Sequence, residues 1–229
     1  MERYSRITNK NRREIVLLKA RPCAWGKCTF CDYIHDNSVN MEEMVKLNKE
    51  VLKRVTGEFG VLEVIDSASC FELPEETLED IRTVVREKKI KKIFFESHYM
   101  YRNRLDEIRE FFGIPVVFKV GVESFDEEFR EKVLNKHALF KSPEEVAAYF
   151  DSPCIMVGIK GQTKDMIRND IATLKKYFKL GTVNVFTNNS TKIKKDPELA
   201  EWFIQEFKEL ENDPSIEVLY EKTDFGVGD

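Results

Sequence analysis

Three cysteines fall within nine residues, Cys23, Cys28 and Cys31, in the stretch RPCAWGKCTFCDY. Thiols at that density hold metal, carry redox chemistry or cross-link the chain. The compartment narrows the choice. The chain has a net charge of −4 and an isoelectric point near 5.7. Its first residues, MERYSRITNKNRREI, are charged where a secretory leader is apolar, and no apolar run approaches the roughly 18 residues of a membrane helix. These features predict a cytoplasmic protein with no membrane association. Thiols stay reduced there, so metal binding or catalysis is expected rather than disulfides.

The spacing C-x4-C-x2-C bends a loop around one metal centre. Three thiolates can each take one iron of a four-iron cluster and leave the fourth iron open to a ligand. A structural zinc is the other arrangement, with His35 or Cys70 as the fourth ligand, although zinc ribbons usually show two C-x2-C pairs and this chain has one. Cys154 opens an apolar run and reads as core. Cys70 follows a strand and fits no ligand spacing. There is no second cysteine group to hold an additional cluster.

Such a loop needs a frame. Strand-like EIVLLKA (Glu14–Ala20) precedes it, and a helical period follows from Met41, with Asn40 as its cap. The alternation then repeats. Strands are expected at Val61–Asp66, Lys92–Glu96, PVVFKVGVE, PCIMVGI, TVNVFTN and Ile216–Tyr220. Helices are expected at PEETLEDIRTVVREK, RLDEIREFFG, FDEEFREKVLNK, TKDMIRNDIATLKKYF and PELAEWFIQEFKEL. Six strand-then-helix units imply an α/β fold with a parallel sheet, open as a partial (β/α)6 barrel rather than closed at eight. One domain is expected over residues 1–229, with 213–229 as a C-terminal strand and tail. The tail either folds back over the open side or frays.

Chemistry in such folds gathers at the carboxyl ends of the strands. The cysteine loop follows the first strand directly. Ser67 and Ser69 follow the second, Glu96 and His98 the third, Glu123 and Ser124 the fourth, and Asn188 and Asn189 the sixth.

Four stretches, in order, resemble the radical S-adenosylmethionine superfamily. They are the three-cysteine loop with Phe30 just before its last cysteine, DSASCFELP after the second strand, VGVESFDEEFREKVLNK at the fourth, and IMVGIKGQTKDMIRNDIATL at the fifth. The resemblance spans roughly Ile15 to Phe186. Two features depart from the usual pattern: the first cysteine gap has four residues instead of three, and Ser67–Ala68–Ser69 replaces Gly–Gly–Glu.

The resemblance implies a 4Fe-4S cluster on Cys23, Cys28 and Cys31, with S-adenosyl-L-methionine on its open iron. It assigns Phe30 to the adenine face, Ser67 and Ser69 to the methionine ammonium, Glu123 and Ser124 to the ribose, and Gly158, Ile159 and Gly161 to the adenine edge. An electron donor such as flavodoxin or ferredoxin would drive cleavage of the cofactor, and the 5′-deoxyadenosyl radical would take hydrogen from a substrate. A surface ion pair for Glu123 and plain turn geometry for the glycines are the structural alternatives.

Members that modify transfer RNA usually add a nucleic-acid domain. This acidic chain predicts no stable nucleic-acid binding and a small-molecule substrate instead. RPCAWGKCTFCDYIHDNS in so short a chain most resembles the queuine lyases. That implies a queuine-like deazapurine as substrate and 7-aminomethyl-7-deazaguanine as product, in salvage of a queuosine precursor. Glu96 or Asp224 would then accept donors of the base, and His98, Asn188 and Asn189 would meet the diol. Tyr99, Tyr101 or Phe225 would stack on the ring system. Another small-molecule or transfer-RNA pathway, or a non-catalytic zinc module, are the alternatives.

Overall fold

The computed structural model describes residues 1–228; Asp229, the end of the expected tail, lies outside the described residues. Eight strands form one sheet in sequence order: β1 Tyr4–Ile7, β2 Arg13–Leu18, β3 Val61–Asp66, β4 Lys92–Glu96, β5 Val116–Glu123, β6 Ser152–Val157, β7 Gly181–Val185 and β8 Ile216–Leu219. From β2 to β8 every neighbouring pair is parallel. Helices α1 Met41–Leu52, α2 Glu75–Glu87, α3 Leu105–Phe112, α4 Pro143–Ala147, α5 Lys164–Tyr177 and α6 Pro197–Glu206 supply the crossovers. The sheet curls into the expected partial barrel, with one cavity framed by β3 to β8 at its mouth.

Local chemistry explains the helix ends. Asn40 accepts from Glu43 N, Ser142 from Glu145 N, Thr163 from Met166 N and Asp196 from Leu199 N, so four helices begin on side-chain caps. Helix α3 stops at Gly113, which takes a left-handed φ of 64°. Met44, Asn48, Val51 and Leu52 form the buried stripe of α1.

Strand alternation divides the side chains into two sets. Val16, Leu18, Leu62, Val64, Phe95, Phe118, Ile155, Val157, Val183 and Val185 face the helices and belong to one apolar core. Facing inward, Arg13 donates to Glu63 and forks onto Glu217 at 2.7 and 2.9 Å, while Lys119 donates to Glu63. Two cations thus balance two carboxylates inside the barrel. Burial opposes the charge of Glu63, but Lys119 and Arg13 outweigh it and hold its carboxyl below the usual range. This polar plug separates the main cavity from a smaller one of about 140 Å³ at the amino-terminal side, and Lys119 lines both.

Three features depart from the sequence pattern. The charged N-terminus contributes strand β1, antiparallel to β2. The helix expected from Phe125 to Lys136 widens into a π turn at Phe129–Val133 and breaks at Asn135, whose φ is 49°. Its Arg130 is buried over the Phe140 ring at 3.8 Å and donates to Ser124 O at 3.1 Å, contacts that a regular helix would not place together. Helix α4, in the chain between Lys136 and β6, has no counterpart among the expected elements.

The tail folds back. Ser5 Oγ donates to Phe225 O, Gly228 N donates to Glu2 O at 2.9 Å, and Val227 packs with Ile15, Leu17 and Ile65. It spans the gap between β8 and β1, where the barrel is open. Among the described residues no helix is long and apolar enough to cross a membrane.

Candidate functional site

A cavity of about 300 Å³ opens at the carboxyl ends of the strands. The loop after β2 brings Cys23, Cys28 and Cys31 to one side of it, with Phe30 beside them. Ser67 and Asp66 come from the end of β3, Glu96 and His98 from β4, Glu123 from β5, and Asn189 from the loop after β7. Phe225 of the tail closes the far side, its ring 4.9 Å from Lys119 Nζ and 5.4 Å from the Arg13 guanidinium.

The cysteine loop is held by its neighbours. Thr29 N donates to Leu134 O at 3.0 Å, and Trp25 Nε1 donates to Asn135 O at 2.8 Å. Asn189 Nδ2 donates to Phe30 O at 2.7 Å. Burial pushes the Cys28 thiol up to about 12 and raises that of Cys31, while the ammonium of Lys136 pulls both the other way. Thiols in this setting ionise when a metal centre replaces their protons.

Among the described residues no three His, Cys, Asp or Glu side chains converge on a point that a single metal ion would occupy. Cys70 is sealed in the apolar core, and His35 Nε2 lies 3.4 Å from Ser190 Oγ. That arrangement does not suit a tetrahedral zinc, whose ligands must all reach one ion. Three thiolates that each ligate a different iron of a cluster need no common point, and these three line one cavity.

Glu96 is the outstanding group that shares the cavity with the thiols. Its carboxylate has no hydrogen bond or ion pair among the described residues, and burial pushes its pKa up to about 7. Asp66 is similar: Oδ1 accepts from Ala68 N at 2.7 Å, while the buried Oδ2 has no partner, and burial raises its pKa well above the usual carboxylate range. Two under-partnered carboxyls facing one cavity suit a ligand rich in N–H donors.

Other expected contacts are already engaged. His98 lines the cavity, but Nε2 pairs with Lys136 O at 2.9 Å and Nδ1 accepts from Met100 N at 3.2 Å. A carbonyl only accepts, so Nε2 carries the proton and the ring is neutral. Burial, followed by Lys136, lowers its pKa to about 4. Asn189 spends its oxygen on Thr191 N and its amide nitrogen on Phe30 O. Glu123 forms a buried ion pair with Lys136 at 2.8 Å, not a surface one.

Several expected residues lie off the cavity wall. Ser124 donates to Asp170 at 2.8 Å, and Asn188 accepts from Lys195 N at 2.9 Å. Asp224 accepts from the amides of Tyr220 and Glu221, capping the tail's turn. Ser69 is buried with an unpartnered hydroxyl. Gly158 takes φ 78°, and a β-carbon there would sit 2.8 Å from that of Ala200, so close packing against α6 requires the glycine. Ile159 N donates to Gln162 Oε1, and Gly161 turns at φ 98°. Of the proposed stacking rings, Tyr99 is buried against Phe140 and Tyr101 donates to Glu72; Phe225 faces the cavity.

The cavity also holds residues that the local pattern did not single out. Lys119 and Asn184 are polar positions inside buried strands, a signal that alternation alone offers. The Asn184 amide makes no hydrogen bond among the described residues and lines the cavity. Cys154 faces the cavity rather than the outer core, and burial lifts its thiol to about 12. Lys136 has no local signature at all.

No family model matches the chain. It is 55% identical to the solved structure of queuine lyase from Clostridium spiroforme bound to SAM and queuine; the match covers 100% of each chain, with a TM-score of 0.98. A radical SAM methyltransferase from Sphaerobacter thermophilus shares the fold at 14% identity and a TM-score of 0.59, over 90% of this chain and 65% of that one. Among curated proteins, an uncharacterized protein of Methanocaldococcus jannaschii is 29% identical over 140 residues, 53% of this chain. The chain spans 38% of that relative's length.

Proposed function

Because the chain belongs to the queuine lyase family of radical S-adenosylmethionine enzymes, we propose that it cleaves queuine and releases 7-aminomethyl-7-deazaguanine, for salvage of a queuosine precursor. The observation that carries this is one cavity lined both by three thiols and by the unpartnered carboxylate of Glu96. Cys23, Cys28 and Cys31 would hold the 4Fe-4S cluster. Cluster and S-adenosylmethionine, when bound, supply the hydrogen-abstracting chemistry.

The chain's own groups bind, orient and exclude water. Phe30, Ser67 and the unpaired oxygen of Glu123 face the cofactor side. Glu96 accepts the ring N–H and exocyclic amine of the deazaguanine. Asn184 offers both a donor and an acceptor to the diol. Phe225 gives the base an apolar face, and the tail behind it keeps solvent from the barrel's open side. His98 and Asn189 shape the wall through the hydrogen bonds they already make, while Ser124, Asn188 and Asp224 brace the segments behind it. Ser69, Gly158, Ile159 and Gly161 support the strand ends behind the cofactor. Residues 1–229 act as one cytoplasmic domain that takes its electron from flavodoxin or ferredoxin and binds neither nucleic acid nor membrane stably.

The test is anaerobic turnover with S-adenosylmethionine, dithionite and queuine deuterated on its cyclopentene ring, read by mass spectrometry. The expected result is 7-aminomethyl-7-deazaguanine together with deuterium in 5′-deoxyadenosine. Cleavage of the cofactor with queuine left intact would refute the substrate assignment.

A further inference from the structure

Lys136 is aimed at the cysteine loop by an arrangement that costs the fold in three places. Gly121 sits within β5, where a β-carbon would come within 2.6 Å of Lys136 Nζ and would also collide with Glu123 Oε1. The strand therefore gives up a side chain so that the Glu123–Lys136 pair can lie across it. Glu123 itself adopts φ 64° at a register shift between β5 and β6. Asn135 and His137, on either side of Lys136, are also left-handed, at φ 49° and 55°. A Glu holds such an angle only where its surroundings enforce it, whereas Asn and His adopt it more readily.

The segment carrying Lys136 is stitched to the loop. Besides the bonds from Trp25 and Thr29, Asn135 Nδ2 donates to Lys27 O at 2.7 Å, and Trp25 stacks on His137 with centroids 4.0 Å apart. Lys136 Nζ stands 5.6 Å from the centre of the Phe30 ring, and its side chain is 12% exposed. Its one carboxylate partner among the described residues is Glu123. An ion pair buried this deeply is costly unless its remaining protons and lone pairs also find partners, and the ammonium has protons left over for an anionic group at the cysteine loop.

We propose that Lys136 sets the charge at the cysteine loop, its ammonium stabilising the reduced form of the iron–sulfur cluster carried by Cys23, Cys28 and Cys31. This rests on the cluster assignment above. Three thiolates leave the oxidised cluster anionic. One electron from a low-potential reductant, with no proton, makes it more so. A fixed cation in a poorly solvated wall favours that state. Glu123 opposes the effect and holds the ammonium in place.

The experiment is an electron-paramagnetic-resonance titration with dithionite on full-length, anaerobically loaded protein without S-adenosylmethionine. It compares the unaltered chain with Lys136→Met, Lys136→Arg and Glu123→Gln. Lys136→Met should weaken the reduction equilibrium about tenfold, a shift of ~59 mV to more negative potential for one electron. Lys136→Arg should hold the original value. Glu123→Gln should shift the potential the opposite way from Lys136→Met, which a purely structural role would not do. If Lys136→Met takes up no cluster, the opposite shift of Glu123→Gln and the constancy of Lys136→Arg still decide the matter. Unchanged potentials in loaded variants, or shifts of the same sign for Lys136→Met and Glu123→Gln, overturn the proposal alone. Failure of the unaltered chain to take up a four-iron cluster overturns the functional assignment with it.

Discussion

Replacing Glu96 by Gln should stabilise the substrate-free protein and cripple its binding. The carboxyl ordinarily ionises near 4.5, and burial moves it to about 7 in the folded chain. Each pH unit of displacement is about 1.4 kcal/mol, so ionising Glu96 costs the folded state about 3 kcal/mol. The sign follows from linkage: the folded state holds this proton more tightly, so the benefit is complete below pH 4.5 and is lost as pH rises through 7. Glu96→Gln carries no such loss. Its melting temperature relative to the unaltered protein should therefore rise by about 6–12 °C between pH 4.5 and pH 8, at ~2–4 °C per kcal/mol for a chain of this size. Calorimetry on cofactor-loaded, substrate-free samples across that range measures the difference. Queuine affinity should fall with the same substitution by about 1–3 kcal/mol, because a donor of the base loses its charged acceptor. In the unaltered protein affinity should weaken as pH drops below 7 and the carboxylate protonates. A melting difference that is the same at every pH, or a Glu96→Gln protein that binds queuine normally, would refute the assignment of Glu96 as an uncompensated charge awaiting the base.

The other predictions test the remaining parts of the site. Ala at Cys23, Cys28 or Cys31 should abolish iron uptake, measured as iron per chain after anaerobic loading. Cys70→Ala and Cys154→Ala should retain it, the first thiol being sealed in the core and the second standing on β6 rather than in the cysteine loop. Glu63→Gln leaves Arg13 and Lys119 short of their shared counter-charge and should cost about 3–5 kcal/mol in denaturant unfolding. A loss below about 1 kcal/mol would mean that Glu217 alone balances both cations.

Where neighbours in sequence decide the outcome, the sequence already speaks. Apolar runs and helical periods mark seven of the eight strands, because a strand buried on both faces needs an unbroken apolar stretch. The cysteine spacing is equally local: a loop of nine residues can wrap a single centre whatever surrounds it. Glu96 and Glu123 are legible because polar residues at the ends of buried strands have few purposes. Tertiary structure alone decides which of these groups remain free. His98 and Asn189 reach the cavity wall, yet their hydrogen bonds are consumed by Lys136 O and Phe30 O, partners 38 and 159 positions away. Arg13 meets Glu217 across 204 positions, and Ser5 meets Phe225 across 220, so neither the polar plug nor the closing tail leaves any mark on local periodicity. Lys136 reads as one surface lysine among many until a π turn and two left-handed residues rotate it inward. Local pattern reports what a residue can bury; whether a charge ends up paired, spent or waiting depends on contacts between distant segments that form only when the sheet curls.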